Sequence, residues 1–288
     1  MTLLGASEIR ALAAELDLHP AKALGQNFVH DANICRKIVR LAKVGSTDIA
    51  LEIGPGLGSL TLALLEIAAS VVAIEIDSRL AAQLPLTVAA HSQRVACLSV
   101  INEDALQVRE LASIPTVLVA NLPYNISVPV LLHYLEKFSS IQKGVVMVQA
   151  EVADRLVAKS GTKEYGIPTV KAAWWVDTSN AGAVSRSVFW PVPNVDSKLV
   201  GFVRRAAIGD EVMRKRTFTV IDAAFAQRRK MLRSAIGSWL GGSGEGGSRI
   251  AESVLIKAGI DPTLRGEALE IRDYYAIALA LQEMGLGS

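Results

Sequence analysis

Cysteine is almost missing from this chain. Cys35 and Cys97 are the only two in 288 residues, far apart and at no metal-ligand spacing. That leaves two reduced core thiols, suits a reducing cytoplasm and gives no reason to expect a metal. A secretory leader is lacking too: Glu8, Arg10 and Glu15 fall within a helical pattern, with neither a basic n-region nor a long apolar h-region. No apolar run is long enough for a membrane span, because the greasiest window, 60–76, is interrupted by Thr61, Glu66, Ser70 and Glu75. No internal repeat is evident. What remains is a soluble, cytoplasmic chain without membrane contact, whose 51% hydrophobic residues suffice for one large domain and a small one.

The net charge of +2 conceals an uneven distribution. Residues 201–240 hold nine Lys/Arg against three acids, a local net of +6 that leaves −4 for the rest. Such a run is either a solvated face or the electrostatic footprint of a polyanionic partner.

After a helix near 7–17 and a loop-like "HPAKALGQNFVHD", a second helix is expected over 31–42, and from there strands and helices alternate. "DIALEI" (48–53), "SVVAIEI" (70–76), "RVACLSVI", "TVLVA" and "GVVMVQA" (144–150) read as buried strands. "SLTLALLEIA", a segment from Ser78 with Pro85 as an interruption or end, and "SVPVLLHYLEKF" read as helices. The alternation implies an α/β fold, an open and mostly parallel sheet covered by helices, with ligands beyond the carboxyl ends of the strands. Past residue 150 a helix over 151–159 and strands around a Pro-rich turn follow, then only helices from Asp210, broken by a flexible "GGSGEGGS" (241–248). The domains are expected at 1–207 and 208–288.

"LEIGPGLGSL" sets Gly54, Gly56 and Gly58 between a strand and a helix. The dinucleotide fingerprint requires glycine at position 59, which is Ser59, so the spacing favours S-adenosylmethionine (SAM) over NAD. Glu75 ends the next strand, where a carboxylate can accept from both ribose hydroxyls of a nucleoside. Asp104, in "NEDAL", can accept from an adenine amino group or cap the segment it opens.

In "TVLVANLPYNISVPV" the fourth strand ends by presenting Asn121, Leu122, Pro123 and Tyr124. Beside a methyl donor these residues suit methylation of an exocyclic adenine amine. That nitrogen is a poor nucleophile because its lone pair is delocalised into the ring. Acceptors on its hydrogens, the Asn121 side-chain oxygen and a backbone carbonyl, draw it toward tetrahedral geometry. Pro123 stiffens the backbone and Tyr124 stacks on a flipped or unpaired base.

"LGQNFV" (24–29), "EIGPGLGSLT", "EID", "NLPYNIS", "VQAEVADRLVA", "FWPVPNVDS" (189–197), "AFAQRRKML" (224–232) and "LRGEAL" occur in this order. Over nearly its whole length the chain resembles the KsgA-type ribosomal RNA small-subunit adenine dimethyltransferases. The resemblance implies a Rossmann-like SAM-dependent methyltransferase domain followed by a small all-helical RNA-binding domain. It also implies dimethylation of two adjacent adenines in the 3′-terminal hairpin loop of 16S rRNA by a monomer acting on a partly assembled small subunit. Asn27 and Val29 then line the SAM site with Gly54, Gly56, Glu75, Asp104 and Asn121. Leu122 supplies the backbone carbonyl, and Phe189 stacks on the target base opposite Tyr124. Val29, Val192 and Met231 stand where the family commonly has Leu, Pro and Thr.

On a helical projection of "AFAQRRKMLRSAI", Arg229 and Arg233 share a face with Lys230 adjacent, and with Arg228 they form an expected phosphate-binding segment. Three alternatives remain at this level: a large-subunit rRNA adenine methyltransferase, a DNA amino-methyltransferase, and an assembly factor whose methylation is incidental. The "QRRKMLR" and "VDS" segments favour the small-subunit type over the first.

Overall fold

The computed structural model of the chain describes residues 2–18, 27–241 and 245–287. Leu24, Gly25 and Gln26 of "LGQNFV" and the centre of the Gly/Ser-rich stretch lie outside the described residues. The chain divides into two compact units, one of residues 1–153 and 178–204, the other of 154–177 and 205–288.

The first unit is built on β2 (Ile49–Ile53), β3 (Ser70–Glu75), β4 (Leu98–Asn102), β5 (Val117–Asn121), β6 (Lys143–Gln149), β7 (Val176–Val184) and β9 (Ser197–Arg204). They form one seven-stranded sheet in the order β4-β3-β2-β5-β6-β9-β7. Strands β2 to β6 pair in parallel, and β9 runs antiparallel to β6. The continuous apolar runs of β2, β3, β5 and β6 are explained by burial of nearly every residue in them. From β2 the chain steps outward through β3 and β4, then returns to the other side of β2 as β5, so a crevice opens at the carboxyl ends of β2 and β5. A separate two-stranded ribbon pairs β1 (Phe28–Val29) with β8 (Phe189–Trp190).

The helices of this unit are α1 (Ala6–Glu15), α2 (Ala32–Leu41), α3 (Ser59–Leu65), α4 (Ser78–His91) and α5 (Ser127–Lys137). Asp31 and Asp77 cap α2 and α4, their carboxylates accepting from the backbone N–H of Asn33 and Ile34 and of Arg79. Pro85 neither ends nor interrupts α4. An interior proline costs roughly 3 kcal/mol, which burial of Leu80, Leu84 and Val88 at about 1.5–3 kcal/mol each offsets. Arg204 donates to the carbonyls of Leu135, Phe138 and Ile141 and so satisfies the end of α5.

The chain leaves the first unit within α6 (Ala150–Leu156) and re-enters it within β7. The second unit thus begins earlier than residue 208. Its first segment carries α7 (Ile167–Ala172), which the sequence reading passes over, followed by Trp174 and Trp175. These pack on α8 (Glu211–Ala226): both indoles meet the Phe218 ring edge-on, and Lys171 pairs with Asp222 at 2.7 Å. Arg214 is buried between Trp175 and Phe218, with its Nε and Nη2 each donating to the Glu211 carboxylate at 2.7 Å. The remaining helices are α9 (Leu232–Gly241), α10 (Glu245–Lys257) and α11 (Ile271–Glu283). Residues 245–248 of the expected flexible loop are therefore the first turn of a helix. Close packing explains it, since a Cβ on Gly237 would come within 2.9 Å of the Gly247 backbone.

Candidate active site

The crevice holds a cavity of about 300 Å³, in the range of small-molecule pockets. Its wall is assembled from the ends of four neighbouring strands and the ribbon strand β1. Asn27, Phe28, Val29, the 52–57 turn, Glu75, Asp104 and the 121–126 segment all line it. The residues expected at a SAM site are thus brought together.

The glycine turn is shaped by its neighbours. Gly56 has φ +58°, and a Cβ there would stand 2.8 Å from the Phe28 ring, so no other residue fits without displacing β1. A Cβ on Gly54 would lie 3.7 Å from Pro123, which puts the glycine turn directly against the proline of the tetrapeptide.

Glu75 is 5% exposed and fastened to this turn: its carboxylate accepts from the backbone N–H of Gly56 and of Asp77, each at 3.1 Å. Burial pushes its carboxyl up from the ordinary value. Asp104 accepts from Leu106 N–H at 2.9 Å through one oxygen, as a local turn. The capping expectation and the cofactor expectation for Asp104 are compatible, because the second oxygen is not part of that turn.

Asn121 ends β5 with its amide Nδ2 donating to the Asn27 carbonyl at 3.0 Å. This hydrogen bond joins two segments 94 residues apart and leaves Oδ1 as the acceptor of the amide. Leu122 N–H donates to the Met147 carbonyl at 3.0 Å, and the Tyr124 hydroxyl lies 2.8 Å from Ser197 Oγ. The Tyr124 phenol is pushed up by burial.

Phe189 is not among the residues lining this cavity. It is 1% exposed, paired with Val29 in the ribbon and packed in the hydrophobic core. The two-residue strand β8 sends Phe189 into the core, and the ring lying beside the pocket residue Phe28 is that of Trp190, stacked at 6.4 Å between centroids.

Among the pocket residues that escaped the sequence reading are Glu52, Phe28, Ile76 and Ala105. Glu52 is 1% exposed, and the Thr61 hydroxyl donates to its Oε2 at 2.6 Å. Burial pushes its carboxyl up to about 8. Its signal was visible as the single charge inside the apolar strand "IALEI". Ile76, exposed by 56%, offers a flat apolar wall directly after Glu75.

In the second unit, the helical projection of 224–236 fails. Helix α8 stops at Ala226, Gln227 leaves helical geometry, and a turn runs to Met231. The next backbone N–H groups, of Leu232 and Arg233, donate to the distant carbonyls of Leu264 and Pro262, contacts no local pattern reveals. Arg228 pairs with Glu267 at 2.9 Å and donates to the Lys163 carbonyl at 2.6 Å. Arg233 stands 3.9 Å from Glu252. Arg229 and Lys230 are exposed and make no ion pair among the described residues.

Comparison with known proteins bears on what such a site is for. The model of the family described as ribosomal RNA adenine dimethylase matches residues 19–278. The ribosomal RNA small subunit methyltransferase A of Streptomyces griseus is 55% identical over 96% of this chain and 94% of its own length. That of Corynebacterium glutamicum is 54% identical over 98% and 96%. Among solved structures, a dimethyladenosine transferase from Plasmodium falciparum superposes with a TM-score of 0.77 at 25% identity, covering 90% of this chain and 98% of that one. The 23S rRNA methyltransferase ErmE shares the fold, with a TM-score of 0.66 at 23% identity over 88% and 99%.

Proposed function

As the chain belongs to the ribosomal RNA adenine dimethylase family, we propose that its pocket holds SAM and that Asn121 orients the target adenine amine. The enzyme is a SAM-dependent rRNA methyltransferase, and the reaction is dimethylation of two adjacent adenines in the 3′-terminal hairpin loop of 16S rRNA. Identity of 55% to a small-subunit enzyme, against 23% to a 23S enzyme, favours the small-subunit substrate.

The residues present fit the cofactor. A buried carboxylate, Glu75, beside a glycine turn whose backbone lines the cavity, is what a nucleoside needs. Glu75 would take the ribose hydroxyls, Asp104 the adenine amino group, and Asn27, Val29, Gly54, Gly56 and Asn121 the rest of the cofactor. SAM supplies the methyl group as a sulfonium electrophile.

The chain's own part is positional. Asn121 Oδ1 and the Leu122 carbonyl accept from the target amine, turning its lone pair out of conjugation. Pro123 holds that carbonyl still, and Tyr124 offers a face to the extruded base. The methylated nitrogen is acidic and loses its proton to water, so no strong base is required. The single observation supporting this reading is the Asn121–Asn27 hydrogen bond, which commits the amide's donor to the protein and leaves its acceptor for the substrate.

Arg228, Arg229, Lys230 and Arg233 are proposed to meet RNA phosphates, and the small subunit to be the partner of a monomeric, cytoplasmic enzyme. No helix among the described residues is long and apolar enough to cross a membrane. The test is methyl transfer from labelled SAM to unmethylated small subunits, large subunits and duplex DNA. Label in the small subunit alone supports the reading, and label in either other substrate overturns it.

A further inference from the structure

Among the contacts that pin the 121–124 segment, three come from distant parts of the chain: the Asn121 amide to Asn27, the Leu122 N–H to Met147, and the Tyr124 hydroxyl to Ser197. The third comes from a residue with no assigned role. Ser197 is the first residue of β9, and β9 is the strand that runs against the direction of the sheet. Parallel strands bring their last residues to the carboxyl edge, whereas an antiparallel neighbour brings its first. Ser197 therefore reaches that edge through topology, opposite Gln149 at the end of β6.

The position is rigid. Ser197 is 0% exposed, and the carbonyl of the preceding Asp196 accepts from Ala150 N–H at 2.8 Å. A hydroxyl in such a place has no water to turn to, and 2.8 Å to the Tyr124 oxygen is the normal length of an O–H···O bond. Without that bond the ring of Tyr124 is held only by packing at a half-buried site and can turn about its two side-chain torsions. A base stacked on it would lose its aim at the methyl group, and misplacement of about 1 Å is enough to cost ~10²-fold in rate.

We propose that Ser197 is a positioning residue for methyl transfer, its hydroxyl fixing the plane of the Tyr124 ring on which the target adenine stacks. The inference rests on the reading of Tyr124 as the stacking surface and adds the group that orients it.

The test is a mutant cycle on the full-length protein with unmethylated small subunits, reading kcat and KM for the subunit, SAM affinity and Tm. Ser197→Ala is expected to lower kcat about 10-fold with SAM affinity within about twofold. Tyr124→Phe removes the same bond from the other side while keeping the ring, and should lower kcat to a similar degree. The double variant should be no slower than either single variant, because only one bond is there to lose. Ser197→Thr, which keeps the hydroxyl, should recover most of kcat. Effects that multiply in the double variant, or a fall in Tm with kcat unchanged, overturn the inference and leave Ser197 a packing residue. Tyr124→Ala separates the two layers. If it leaves transfer intact, the stacking reading itself fails. If it abolishes transfer while Ser197→Ala and Tyr124→Phe remain fully active, only the positioning role fails.

Discussion

Polar side chains serve opposite ends in the pocket and in the helical unit. In the pocket, Glu52 and Glu75 are buried without a cation to pair with among the described residues. In the helical unit the buried cation is fully matched: Arg214 is held by Glu211 and two aromatic faces, and burial there builds structure. Arg205 and Arg216 likewise end on backbone carbonyls. A buried ionisable group with a charged partner is a piece of architecture, whereas one without such a partner costs stability when it ionises and is a candidate for contact with a ligand. The local charge of +6 is thus mostly internal to the fold, and what it offers a polyanion is concentrated at Arg229 and Lys230.

The sharpest way to break this contrast is Asn121→Ala. If the pocket's polar groups serve ligands, kcat should fall by ~10²-fold or more while SAM affinity changes only a few-fold and Tm stays near wild type. Arg214→Ala should do the reverse, lowering stability by about 1–3 kcal/mol in denaturant titration through lost cation–π contact and packing. Its SAM affinity should be unchanged. A pocket variant that unfolds, or an Arg214 variant that loses only SAM affinity, would erase the distinction.

Glu75 lies between the two cases because it also fastens the glycine turn. Glu75→Ala should weaken SAM binding by about 10- to 100-fold by calorimetry, the worth of about 1.5–3 kcal/mol for hydrogen bonds to a charged group. Normal binding by this variant would return Glu75 to a purely structural role at Gly56 and Asp77.

Glu52 sharpens the contrast through pH. Its carboxyl is raised from 4.5 when free to about 8 in the folded chain. The fold therefore prefers the protonated form, and that stability is complete below about pH 4.5 and lost as pH rises through about 8. The slope contributed by one proton is about 1.4 kcal/mol per pH unit at most. Denaturant titrations of the protein without SAM should show stability declining over this window, and Glu52→Gln should flatten the decline. An identical slope in both proteins would mean that Glu52 ionises freely.

What was legible in the sequence follows the range of the forces involved. Strands such as "TVLVA" are local apolar runs, and Gly54, Gly56, Glu75, Asp104 and Asn121 stand at the ends of such runs, so a parallel sheet brings them to one edge. The burial of Phe189 was not legible because its side is set by pairing with Val29 of β1, 160 residues away in the chain. The helix break after Ala226 was missed because the carbonyls that take up the next N–H groups belong to Pro262 and Leu264. Ser197 reaches Tyr124 only through the antiparallel return of β9, and no spacing rule connects positions 73 residues apart.

The last prediction concerns the cations themselves, where the smallest effects are expected. Binding to RNA phosphates releases counterions, and each contact contributes roughly 0.7–0.9 to the slope of log affinity against log salt. Arg229 and Lys230 are exposed and make no ion pair among the described residues, so Arg229→Ala with Lys230→Ala should flatten the slope for small-subunit binding by about 1.5. SAM affinity should not change. Arg228 is different because its guanidinium is already engaged by Glu267 and the Lys163 carbonyl. Adding Arg228→Ala should therefore change the slope by less than either neighbour does, and its main effect should be a small loss of Tm. An Arg228 variant that carries most of the salt dependence would show that its ion pair opens on RNA binding, and the line between structural and ligand-facing charge would then have to be drawn between Arg214 and Arg228.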